Sequence, residues 1–110
     1  MKQRYGKLVR DNIPNIIRAN GETPNVRIMN TDEYRRELLY KLIEEAEEVR
    51  QAGYDPDGIE FVTELADLAE VLDAVFVEFE IKQDLLEKLR EDRKSERGGF
   101  AERIFLESVQ

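Results

Sequence analysis

Residues 60–79, EFVTELADLAEVLDAVFVEF, decide how this chain is read. The stretch is the most apolar helical pattern in the sequence, yet Glu64 and Asp67 stand in its middle. At about 100° per residue, with Leu65 at zero, Phe61, Leu68, Leu72, Val75, Phe76 and Phe79 fall within about 80° of it. Glu64 projects at about 260°, between Val71 and Val75 and inside the apolar arc; Asp67 lies at its edge, near 200°. Burying an unpaired carboxylate costs several kcal/mol, so a helix built to pack needs a reason to carry these two.

The preceding helical pattern, TDEYRRELLYKLIEEAEEVRQAG (31–53), repeats the oddity. Thr31 or Asp32 is its expected N-cap and Gly53 its stop. With Leu38 at zero, Leu42, Ala46 and Val49 form the packing stripe between about 20° and 80°. Glu45 comes at about 340° and Glu48 at about 280°, whereas Glu44 and Glu47 point away. Each helix therefore offers two carboxylates at i and i+3, about 5–6 Å apart on one face. YDPDG (54–58) is a turn signal, so an antiparallel helix pair is expected, and if it packs through these stripes the four acids converge. Such a group needs a neutralising partner. A divalent cation is one solution and a Lys or Arg ion-pair network is another.

The rest of the chain limits the choices. It has 110 residues, 38% of them charged, with a formal net charge of −8. Residues 1–110 are expected to form one domain. The acidic balance argues against nucleic acid as a partner. No apolar run approaches the roughly 20 residues of a membrane span, and MKQRYGKLVRDNIP has no apolar core of a secretory signal, so a cytoplasmic protein is expected. With no cysteine and no histidine, thiolate and imidazole metal sites are excluded. Only oxygen ligands remain, which favour Mg²⁺, Mn²⁺ or Ca²⁺. Basic residues cluster at the two ends, around Lys7 and Arg10 and around Lys94 and Arg97.

Further elements are a short helix in DNIPNIIRANG, capped by Asp11 or Asn12 with Pro14 in its first turn, and a third long helix from IKQDLLEKLREDRKSE after a break near Lys82. Alternation predicts short strands at 24–30 and 101–109, which could pair with each other. The expected fold is mainly α: an antiparallel helical bundle with short terminal strands. Its core is small, so a homodimer or dimer of dimers is expected.

The order E-E-x-x-E (44–48), a short spacer, then E-x-x-D (64–67) resembles the all-α nucleoside triphosphate pyrophosphohydrolases of the MazG type. YGKLVRDNIPNII (5–17) and KSERGGFAERIFLE (94–107) resemble the two ends of a phosphoribosyl-ATP pyrophosphohydrolase-like branch of that superfamily. The resemblance implies Mg²⁺ held by Glu45, Glu48, Glu64 and Asp67, with Glu45 and Glu48 catalytic. It implies cleavage of a nucleoside triphosphate between the α and β phosphates. Lys7, Arg10, Lys94 and Arg97 are the candidate phosphate-binding residues. Tyr5, Tyr34, Phe100 and Phe105 are candidates for base recognition. Asp11 is read as cap or ligand, and Asp73 as structural. House-cleaning of non-standard nucleotides is the expected role; phosphoribosyl-ATP hydrolysis is the alternative within the class. A non-catalytic acidic helical interaction module is the alternative outside it.

Overall fold

A computed structural model describes residues 6–110 of the chain, so Tyr5 and the basic residues Lys2 and Arg4 lie outside the described residues. The protein is mainly α. Its helices are α1 (Ile13–Ala19), α2 (Thr31–Ala52), α3 (Ile59–Glu78) and α4 (Gln83–Arg97). The chain divides into two compact units, 1–79 and 80–110.

In the first unit, Asn12 precedes α1 and Pro14 sits in its first turn, where the missing N–H costs nothing. Gly21 follows with φ +85, a conformation that favours glycine. The cap of α2 is Asn30, one residue before the expected Thr31 or Asp32. Its side chain accepts a hydrogen bond from the Glu33 N–H at 2.9 Å. Asp32 and Glu33 add negative charge to the first turn. The Glu33 carboxylate turns outward and pairs with Arg27, so the reciprocal half of a capping box is absent.

Helices α2 and α3 pack antiparallel. Arg35, near the start of α2, donates from Nε to Glu78 Oε1 at the end of α3, at 3.1 Å. Its guanidinium also lies 5.1 Å from the centre of the Phe79 ring. The buried stripe of α2 runs Tyr34, Leu38, Lys41, Leu42, Glu45, Glu48, Val49 and Ala52. Leu38 is its innermost member, at 2% exposure. Ala46, expected on the stripe, is exposed, because the stripe centres on the angular position of Glu45 rather than beyond Leu42. The packing face of α3 is turned likewise. Phe61, Glu64, Leu68, Val71, Leu72, Val75 and Phe79 face inward, and Leu65 is 41% exposed. The centre lies about 80° from Leu65, almost on Glu64.

Neither expected strand forms. Among the described residues there is no strand, and segments 22–30 and 103–110 carry no regular secondary structure. Alternation alone produced that expectation, and a strand needs a second strand to satisfy its backbone. No helix among the described residues is long and apolar enough to cross a membrane.

In the second unit, α4 starts after the break at Lys82 and ends at Gly98, whose N–H donates to the Lys94 carbonyl at 2.8 Å. Gly98 has φ +82, so glycine is required there. Leu85 and Leu89, one turn apart, are both exposed.

Candidate metal centre

The heptad-like spacing that sets Leu38, Leu42, Glu45 and Val49 on one seam of α2 puts Glu45 where a leucine would pack. The facing seam of α3, with Phe61, Leu68 and Val75, does the same for Glu64. Antiparallel pairing brings the two together. Glu45, Glu48 and Glu64 each offer a carboxylate oxygen within 4.8 Å of the others. Glu45 is 8% exposed, Glu48 and Glu64 are half-buried. Glu45 Oε2 and Glu64 Oε2 are buried without a hydrogen-bond partner. Orphaned buried carboxylate oxygens are rare in folded proteins and need an explanation.

The electrostatics follow from the crowding. Burial pushes the Glu45 carboxyl above its ordinary range, and the charges of Glu48, Asp67 and Glu44 push it further, while Lys41 opposes them. Glu64 rises to about 7: hydrogen bonding with Glu60 contributes most, then burial, then the hydrogen bond and charge of Glu48. Crowding and burial thus favour the protonated forms of Glu45 and Glu64, while Lys41 favours the charged form of Glu45.

Asp67, the fourth expected ligand, acts on Glu45 through its charge but is engaged elsewhere. Its Oδ1 accepts from Arg10 Nη2 at 2.7 Å, a bridge between the segment ahead of α1 and the middle of α3. Arg10, expected to hold phosphate, is thus at the edge of the carboxylate cluster. Glu44 does not simply point away: its Oε1 lies 3.7 Å from Lys41 Nζ, which is also 3.7 Å from Glu45 Oε1. Lys41 was absent from the expected site. The helical wheel contains it, at about 300° between Glu48 and Glu45, but a lysine there reads as a solvated charge.

Lys7 is exposed ahead of α1. Lys94 and Arg97 are exposed on the last turn of α4, in the second unit. Among the base-recognition candidates, Tyr34 is half-buried on α2, and burial raises its phenol, with Glu78 and Asp11 adding to the effect. Phe100 and Phe105 are exposed in the second unit. Asp11 and Asp73 are exposed, and the Asn12 side chain makes no cap to α1.

The donor set fits a hard divalent cation. It is all oxygen, carries excess negative charge, and includes two buried oxygens with nothing to bind.

No family model matches the chain, and no solved structure matches it. An uncharacterized protein of Mycolicibacterium smegmatis is 52% identical over 46 residues, which make up 42% of this chain and 47% of that protein. The chain thus spans about half the length of the relative it matches, and at that coverage the likeness shows no family.

Proposed function

We propose that the protein is a Mg²⁺-dependent nucleoside triphosphate pyrophosphohydrolase of the MazG type, with Mn²⁺ as a substitute ion. The observation that carries this reading is the convergence of Glu45, Glu48 and Glu64 on the packing seam, with two orphaned buried oxygens. These residues, with Asp67, would hold the metal. The ion would neutralise phosphate oxygens and make a water more acidic. Glu45 and Glu48 would hold the attacking water in line and accept its proton. The water oxygen bonds to phosphorus, the α–β bridging bond breaks, and monophosphate and pyrophosphate leave. The chain has no cysteine or histidine, so a direct attack by water is the economical route.

Arg10 is the best-placed phosphate contact, because it already reaches the carboxylate cluster. House-cleaning of non-standard nucleotides in the cytoplasm is the role we favour, with phosphoribosyl-ATP as the alternative substrate. A second copy of the chain is the expected partner: Leu39, Tyr40, Ile43, Val62 and Val77 are apolar and exposed on α2 and α3.

One observation favours a second reading. Lys41 and Arg10 pair with Glu45 and Asp67, as a structural ion network in a non-catalytic helical module would have them. The two readings part in one assay. ³¹P NMR of canonical and modified nucleoside triphosphates and of phosphoribosyl-ATP, with Mg²⁺ and with chelator, follows both products. Metal-dependent release of pyrophosphate supports the enzyme, and the ranking of substrates names its class. No turnover of any nucleotide supports the module.

A further inference from the structure

Two of the chain's own cations stand on the acid cluster. Lys41 comes from the α2 seam itself, one turn before Glu45, and is 18% exposed. Its 3.7 Å separations from Glu44 and Glu45 exceed hydrogen-bond length, so the ammonium attracts these acids without being bonded to them. Arg10 comes from the segment ahead of α1. It is bonded to Asp67 at 2.7 Å but is 57% exposed, where solvent screens the pair. Both attachments are weak, and neither satisfies Glu45 Oε2 or Glu64 Oε2.

We propose that Lys41 and Arg10 are exchangeable counter-ions of the metal-free site. They hold Glu45 and Asp67 until a divalent cation takes those carboxylates, and their released charges then pair with the phosphates of the substrate. Metal binding and presentation of two cations to an anion become one event, so the metal binds before the nucleotide. The inference rests on the metal-dependent reading of the site and adds Lys41 to it as a phosphate-binding residue.

The idea makes a split in sign that a merely structural role would not. For a metal ion, each side chain is a competitor. For a polyphosphate, each is an attractor. A side chain that only supports the fold would weaken both kinds of binding when removed.

The test titrates chelator-stripped full-length protein with Mn²⁺, reading free Mn²⁺ by electron paramagnetic resonance. A second titration adds α,β-imido-dUTP at saturating Mn²⁺. Lys41→Gln and Arg10→Gln, checked for helicity by circular dichroism, should each bind Mn²⁺ about two- to ten-fold tighter. Each should bind the nucleotide about three-fold or more weaker. Lys41→Arg and Arg10→Lys should stay near wild type in both. Folded Gln variants whose Mn²⁺ affinity is unchanged or weaker, in a wild type that binds Mn²⁺, would overturn this inference alone. A wild type that binds no Mn²⁺ would overturn the metal reading itself and this inference with it.

Discussion

Replacing Glu45 by Gln keeps the shape of the side chain and removes its charge. In the metal-free protein that change should stabilise the fold. The Glu45 carboxylate has Glu48 and Glu64 oxygens within 4.8 Å. Each repulsion at that distance is about 1 kcal/mol at the dielectric of water and about 3.5 kcal/mol at an effective dielectric near 20. Against them stands the attraction of Lys41 at 3.7 Å, about 1 to 4.5 kcal/mol over the same range. Two repulsions outweigh one attraction, and partial protonation of the cluster trims the excess. A net gain of about 1–2 kcal/mol remains, which is roughly 5–10 °C in the midpoint for a domain of this size. Thermal unfolding followed by circular dichroism in EDTA measures it. With Mg²⁺ the order should reverse: wild type gains stability from the ion by mass action, and Glu45→Gln loses most of that gain. A variant destabilised in EDTA, or one stabilised by Mg²⁺ as strongly as wild type, would rule out net repulsion at Glu45 and its part in holding the ion.

Three further outcomes are expected. Glu64 is held up near 7 from an ordinary 4.5, so its contribution to metal-free stability is fully present below about 4.5 and lost as pH rises through about 7. Glu45 is raised too and adds in the same direction. In EDTA, wild type should therefore lose stability between pH 5 and pH 8 relative to Glu64→Gln; a relative gain would contradict the sign. Asn30→Ala removes the α2 cap and should cost about 1 kcal/mol in urea unfolding, with no change in Mn²⁺ affinity. Leu38→Ala empties the innermost position of the seam and should cost about 2–4 kcal/mol, again by urea midpoint.

The acids were legible because their offence is positional. Glu45 and Glu64 break a period that the surrounding leucines and valines define, and periodicity is the strongest signal a sequence carries. The exact register was not legible. Helix α3 carries apolar residues beyond its packing face, with Val62, Leu65 and Val77 exposed, so counting hydrophobic residues centred the face on Leu65, whereas packing turns it toward Glu64. A helix rich in apolar residues does not say which of them meets its neighbour. The pairing of Arg10 with Asp67 spans 57 residues of sequence, and nothing local announces it. Lys41 was visible on the wheel but disguised, since a long aliphatic stem lets a lysine sit beside a seam without implying a role there. The terminal strands failed for the opposite reason. Val26 and Ile28, like Ile104 and Leu106, alternate as a strand would, but alternation cannot supply the second backbone that a ladder needs.

The most direct test of the central claim is a crystal of the protein grown with Mn²⁺, with anomalous diffraction recorded at the manganese edge. A peak is expected on the α2–α3 seam, about 2.0–2.3 Å from carboxylate oxygens of Glu45, Glu48 and Glu64. Asp67 should have joined them, and Lys41 and Arg10 should have moved off their present partners. A map with no peak at the seam, and with Lys41 and Arg10 still paired to Glu45 and Asp67, would contradict it.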